Sequence, residues 1–397
     1  MSTAVAPDDA QAGAGERVPL PVHRAIVREG GSVRVRRRPT LPPAAGELSI
    51  APLVAGLCGT DLQMLRGLRD DPAPVIGHEG VARVVAAGRG VDSVLAPGAL
   101  VVVNPTHPTD PSFLLGHNVD GLLQERTLIP ATAVQGGQVI ALSEAPEPDL
   151  AALLEPLATV RYALSVLATA RPRTLVVLGD GTVGHLAVRA ARHWLGDGVR
   201  TVLVHHTRQG REWSARSRIR ADVLLTQGLD DAGALAGTFA DGPVAVLLAT
   251  PRDATLTCLE TVLRAARGEV TVDLLGGLPP GAGTALLPGV DLAAVRAANC
   301  AGLPDPAETV TVRSTTGVPV RLFGHRGVGN AHLLASAAEL CRAPERYRDL
   351  VTHAVDLTEA AAIMGRLALG RDRNVAGRRL IKLAVRIAPP CRKTLED

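Results

Sequence analysis

Short apolar runs separated by turn residues dominate the chain from residue 22 to about residue 145. RAIVREG, SVRVRR, ELSIAPLVAG, GVARVVAAG, ALVVVNP, QERTLIP and QVIALS are each rich in Val, Ile or Leu, and Gly, Pro and Asp punctuate them. That spacing predicts an antiparallel, barrel-like β domain. The texture changes at residue 149. DLAALLEPLATVRYALSVLATA carries apolar residues at helical spacing, with Asp149 placed to cap its start. Beyond Pro172, strands such as TLVVLG, TVLVHH, ADVLLT, PVAVLLAT and GEVTVDLLGG alternate with Ala-rich helical stretches, VGHLAVRAARHWLG and LTCLETVLRAA among them. This alternation predicts βαβ units and a doubly wound parallel sheet. After about residue 320 the chain regains strand, helix and strand in VRLFG, NAHLLASAAELC and RRLIKLAV. The expected fold class is therefore α/β. A β-rich domain formed by residues 22–165 and 321–397 encloses a dinucleotide-binding domain at 166–320, behind a flexible segment at 1–21.

Composition narrows the function classes. Lys and Arg number 42 against 39 Asp and Glu, a formal charge of +3, too balanced to imply a nucleic-acid partner. The run RVRRR at 34–38 alternates within a strand pattern and reads as a solvated strand face. Five scattered cysteines without a C-x-x-C pair suggest no disulfide framework. The first residues lack a basic start followed by an apolar core, so a cytoplasmic protein is expected. No uninterrupted apolar run approaches the ~18 residues of a membrane span.

LVVLGDGTVGHLAVRAAR places Gly179, Gly181 and Gly184 in G-x-G-x-x-G spacing between a strand and a helix, with Thr182 and Val183 inside the motif. That context is what a dinucleotide fingerprint requires. The glycines permit a tight turn and close phosphate approach, and the helix N-terminus offers free N–H groups. An enzyme for NAD usually ends the second strand with Asp or Glu. Here TVLVHHTRQGR puts His205 at that point, followed by Thr207, Arg208 and Arg211. The absence of an acid and the presence of two arginines favour NADP over NAD. The alternative is that both arginines are solvated loop residues.

Cys58 in CGTD, His78 and Glu79 in GHEG, and Glu155 in EPLAT are each unremarkable alone. Together, a thiolate, an imidazole and a carboxylate would suit a catalytic zinc with one open position. With CGTD, GHEG, DGLLQE…IP at 120–130, EPLAT, the glycine fingerprint, LVTHAVDL and AGRRLI in hand, the chain resembles the zinc-dependent medium-chain dehydrogenase/reductase family over about residues 22–385. The resemblance implies a GroES-like β-barrel catalytic domain beside a Rossmann domain. It implies one catalytic Zn²⁺ per chain on Cys58, His78 and Glu155, as in the polyol dehydrogenase branch. Glu79 matches the acid beside the ligand histidine. Thr60 matches the hydroxyl that takes the alcohol proton, and Thr159 a residue against the nicotinamide. The implied activity is reversible hydride transfer between a secondary alcohol and NAD(P). A polyol, sugar or cyclitol is the first substrate class, no nucleic acid or membrane is involved, and a homodimer or homotetramer is the expected assembly.

Two departures qualify the resemblance. The segment NPTHPTDPSFLLGHNVDG lacks the four cysteines of a structural zinc lobe. His107 and His117, without thiolates, make a poor substitute site. Gln63 stands where many relatives have a proton-carrying histidine, and glutamine does not titrate. Asn104, His117, Asn118 and Arg161 are polar candidates for the substrate cleft. The competing readings are a metal-independent NADPH reductase of enones or quinones, and a non-catalytic nucleotide-binding protein.

Overall fold

The computed structural model describes residues 20–30, 32–228, 232–239, 242–370 and 372–387. The expected flexible segment at 1–21 falls almost wholly outside them. Strands β1 (Leu20–Glu29) and β2 (Ser32–Thr40) form an antiparallel hairpin. Arg34, Arg36 and Arg37 of β2 are exposed, and Arg36 and Arg38 pair with Glu29 and Asp120. The basic run is the solvated strand face its alternation predicts.

The first domain is built on β3 (Leu48–Gly56), β4 (Glu79–Ala87), β5 (Leu100–Val103), β6 (Thr127–Ile129) and β7 (Val139–Ala141). A short helix, α1 (Gly59–Leu65), follows β3. The long helix α2 (Leu154–Ala168), preceded by a 3₁₀ turn at Leu150–Leu153, leads out of this domain. Asp149 makes no capping hydrogen bond there and instead pairs with Arg386. Leu150–Ala168 is long and apolar enough to cross a membrane, but 89% of it is buried inside the protein. It packs in one core with Val54 and Val81 of the barrel and with Leu175 and Leu203 of the second domain. Burial on every side explains why it is apolar all round.

In the second domain, β8 (Thr174–Leu178), α3 (Thr182–Leu195), β9 (Arg200–His205), α4 (Arg208–Arg216), β10 (Val223–Thr226), β11 (Val244–Leu248), α5 (Thr255–Ala265) and β12 (Val270–Asp273) follow in βα alternation. After β13 (Val310–Arg313) comes β14 (Pro319–Phe323). The sheet order is β10-β9-β8-β11-β12-β14-β13, parallel except for the antiparallel edge strand β13. Its six parallel strands have the 3-2-1-4-5-6 order of a dinucleotide-binding sheet. The expected boundary at residue 320 cuts through β14. That strand belongs to the parallel sheet because Val320 and Leu322 pair alongside Val270 and Val272.

Helix α6 (Asn330–Arg342) packs on α2, and the chain returns to the barrel through β15 (Val351–Asp356), α7 (Leu357–Leu369) and β16 (Lys382–Arg386). The barrel sheet then reads β15-β16-β3-β4-β5-β7, with β6 also on β3. The return places β16 directly beside β3, the strand that ends at Gly56, two residues before Cys58.

Candidate metal centre and nucleotide cleft

Cys58 is held by a capping box. Its Sγ accepts from the Thr60 N–H at 3.5 Å, and Asp61 Oδ2 accepts from the Cys58 N–H at 2.9 Å. A cysteine here takes the role that Ser or Thr plays at most helix starts. The turn also puts the Thr60 hydroxyl 3.6 Å from Sγ. On the neighbouring strand, β4 opens with Glu79, and His78 immediately precedes it. Ligand atoms of Cys58, His78 and Glu79 all lie within 4.8 Å of one another. Asp61, completely buried, has Oδ1 3.8 Å from His78 Nδ1, and neither atom has a hydrogen-bond partner among the described residues.

Glu155 enters from α2. It is buried, and Thr159 Oγ1 donates to its Oε1 at 3.4 Å. Its carboxylate lies outside the tight group of Cys58, His78 and Glu79. Burial, and then the charge of Glu79, push its pKa up to about 7. Burial and Glu79 likewise push the Cys58 thiol up. Asp61, Glu79 and Glu155 thus share one buried region with a single ammonium, that of Lys382. Against the effect of burial, Cys58, Asp61 and Glu79 also raise the His78 imidazole well above its ordinary value. The Cys58 thiol and three carboxyls thus face two cationic side chains, Lys382 and His78, and the acids still outnumber them. A divalent ion fits this donor set. It would satisfy the thiolate and carboxylates together, and the unpartnered His78 nitrogen and Asp61 oxygen show that the protein's own bonds leave the site incomplete.

Lys382 was not anticipated from the sequence. Only 1% exposed, it pairs with the Glu79 carboxylate, and its Nζ donates to the Leu57 carbonyl at 3.4 Å. The His117 ring lies 5.1 Å from that of His78, with Nδ1 3.5 Å from Asp71 Oδ2. His107 caps its own loop, its Nδ1 accepting from the Asp110 N–H at 2.8 Å. Of the other polar cleft candidates, Asn104 bonds Val328 and Asn330, Asn118 bonds Leu114 and Pro111, and Arg161 pairs with Glu339 beneath Trp194. Those three side chains are committed to the scaffold, which corrects the expectation that they face a ligand.

The glycine fingerprint lies between β8 and α3. Gly179 has φ +114°, which favours glycine, and a Cβ on Gly184 would overlap the Gly179 carbonyl. Gly181 precedes α3 without any side-chain cap, so the helix N–H groups remain available to an anion. Thr182 Oγ1 donates across the domains to the Ile381 carbonyl at 2.7 Å, and Val183 is half-buried behind it. His205 ends β9 with its ring fully buried, Nδ1 against the Leu225 carbonyl and Nε2 against Ser214 Oγ, each within 2.8 Å. Its ring is therefore not offered to the cleft. Thr207 caps α4 by accepting from the Gly210 N–H at 3.1 Å, and Arg208 and Arg211 stand exposed on the first turn.

Comparison with known proteins follows the same division. Residues 44–136 match the family model described as the alcohol dehydrogenase GroES-like domain. The chain is 32% identical over 185 residues to a glucose 1-dehydrogenase of Thermoproteus tenax, covering 41% of this chain and 51% of that protein. It is 34% identical over 189 residues to a probable zinc-binding alcohol dehydrogenase of Mycobacterium tuberculosis, covering 42% of this chain and 48% of that protein. The match therefore spans about half the length of these curated relatives. Among solved structures, an NADP-bound putative zinc-binding dehydrogenase of Sinorhizobium meliloti has a TM-score of 0.66 at 20% identity, covering 92% of this chain and 99% of that one. Galactitol-1-phosphate dehydrogenase of Escherichia coli also has a TM-score of 0.66, at 18% identity, covering 91% and 99%. These two likenesses speak for the fold alone.

Proposed function

We propose a zinc-dependent oxidoreductase of the medium-chain dehydrogenase/reductase type that transfers hydride between a secondary alcohol and NADP, starting from the GroES-like domain matched at residues 44–136 and the dinucleotide-binding sheet beside it. The observation that carries the reading is the meeting of Cys58, His78 and Glu79, their ligand atoms within 4.8 Å of one another, in a largely buried, acid-rich pocket. A nucleotide fingerprint on the adjoining domain completes the pair. Cys58 and His78 would hold the ion, with Glu155 or Glu79 as the carboxylate ligand. Zinc supplies a Lewis acid for the substrate oxygen when bound.

The protein's own groups do the rest. Thr60 Oγ1, beside Sγ of Cys58, is placed to take the hydroxyl proton. Lys382 holds the Glu79 carboxylate and balances one of the buried charges. The α3 N-terminus and the glycine loop would receive the pyrophosphate, and Thr159, bonded to Glu155 on α2, would face the nicotinamide by the family resemblance. The substrate class we favour is a polyol, sugar or cyclitol. The glucose 1-dehydrogenase among the similar proteins supports a hydroxyl-rich ligand.

Metal analysis of the purified chain tests the reading. About one zinc per chain is expected, together with NADP-linked oxidation in a screen of polyols, sugars and cyclitols. Absence of stoichiometric metal would instead favour a metal-independent reductase or a non-catalytic nucleotide binder.

A further inference from the structure

The junction where a dinucleotide-binding sheet meets the adenosine ribose lies between the glycine loop, the end of the second strand and the start of the next helix. In this chain an ion pair joins all three. Asp180, inside the fingerprint, has Oδ2 2.6 Å from Nη2 of Arg379, a residue of the returning C-terminal segment. The carboxylate lies so close to the first turn of α4 that a Cβ on Gly210 would overlap it, and Arg379 Nη2 would be 2.9 Å from the same point. Both charges also act on His205 at the end of β9. The pair is nearly enclosed, with side chains 8% and 16% exposed, yet Nε of Arg379 is buried without a hydrogen-bond partner. Its guanidinium lines a cavity of about 340 Å³ together with Arg216, Arg373, Arg378, Glu212 and Trp213. Arg373 Nη1 is 3.9 Å from where a Gly181 Cβ would lie.

The acid that accepts the ribose 2′-OH of NAD ordinarily ends the second strand, where this chain has His205. Asp180, from inside the fingerprint, nevertheless brings a carboxylate to the same junction, and a carboxylate there repels a 2′-phosphate. Paired with Arg379, it loses that repulsion, and the guanidinium that neutralises it brings cationic donors to the same point. We propose that Arg379, reaching across from the GroES-like domain, is the residue that selects a 2′-phosphorylated dinucleotide, by cancelling Asp180 and binding the phosphate on the cavity side. This rests on the nucleotide-binding reading above. It goes beyond it by moving the selectivity from Arg208 and Arg211 to a residue of the other domain.

The test is fluorescence titration of the full chain with NADPH and NADH, which needs no turnover. The wild-type chain is expected to bind NADPH the more tightly. Arg379→Ala should weaken NADPH about tenfold or more while NADH changes less than about threefold, as loss of a charge-assisted contact implies. Arg379→Lys should keep much of the preference. Adding Asp180→Asn to Arg379→Ala should restore part of the NADPH affinity, because the uncancelled carboxylate is gone. Equal weakening of both nucleotides by Arg379→Ala would mark a structural role and overturn the proposal, as would an unchanged ratio. If Arg379→Ala does not fold, Asp180→Asn alone decides. Tighter NADPH with NADH unchanged or weaker supports the assignment, and an unaltered ratio defeats it. A wild-type chain that binds neither nucleotide would defeat the functional reading instead.

Discussion

Replacing Lys382 with methionine would keep the aliphatic stem and delete the ammonium that faces Glu79. Lys382 and Glu79 are 1% and 2% exposed, so neither charge has water to fall back on. Breaking such a pair from one side typically costs about 3–5 kcal/mol, because the remaining charge stays buried and unpaired. Loss of the donor to the Leu57 carbonyl adds on the order of 1 kcal/mol. Lys382→Met should therefore destabilise the metal-free protein by about 4–6 kcal/mol. The double variant Glu79→Gln/Lys382→Met leaves no net charge and should recover at least about 2 kcal/mol of that loss, a coupling that a double-mutant cycle isolates. Urea unfolding after chelation, followed by far-ultraviolet circular dichroism, is the appropriate assay. Both tryptophans, Trp194 and Trp213, lie in the dinucleotide domain and would miss the barrel. Competition against a zinc chelator should also show tighter zinc binding by Lys382→Met, since the freed carboxylate adds negative charge beside Cys58 and His78. A single-variant cost below about 1 kcal/mol, or a double variant as unstable as the sum of the two singles, would refute the buried-pair account.

Cys58→Ser should reduce bound zinc from about one per chain to a small fraction while leaving the NADPH dissociation constant within about twofold, read by metal analysis and titration; retained stoichiometric zinc would remove Cys58 from the ligand set. Gly184→Ala should abolish NADPH binding or prevent folding, because the new methyl would overlap the Gly179 carbonyl; ordinary binding by a folded variant would contradict the loop geometry. Burial, with help from the His78 charge, lowers His117 from 6.5 to about 3. The unfolded chain then binds a proton that the folded chain refuses between those values, so stability present above pH 6.5 is lost on acidification, by about 2 kcal/mol at pH 5 for this group. His117→Gln should flatten the fall in the urea midpoint between pH 7 and pH 5, and an undiminished fall would exclude His117 as its source.

What the sequence made legible was local. The barrel strands follow from alternation and turn residues, and β2 exposes its arginines as that alternation requires. The glycine loop was readable because its strand, turn and helix are consecutive. Cys58, His78 and Glu155 were singled out by type and context, and the fold brings the first two together with Glu79 while Glu155 stays one step further off. The boundary near residue 320 was misplaced because β14 has the same Val/Leu texture as a barrel strand, and only its pairing with β12 assigns it. Charged residues with distant partners carried no local signal at all. Asp149 looks like a helix cap, but its partner is Arg386, and nothing near Glu79 or Asp180 in the chain announces Lys382 or Arg379.

Those distant partners share one address. Between Arg373 and Arg386 the chain turns back on itself, Leu380 N–H bonding the Arg373 carbonyl at 2.7 Å, and then runs as β16 beside β3. Along this stretch Arg373 and Arg379 face the glycine loop, the Ile381 carbonyl receives Thr182, Lys382 meets Glu79, and Arg386 holds Asp149 at the entry to α2. Consecutive residues thus touch the nucleotide loop and the metal cluster in turn. The segment that closes the barrel therefore lies between the glycine loop and the Cys58 cluster, and its charged residues act through where the fold brings them rather than through any motif of their own.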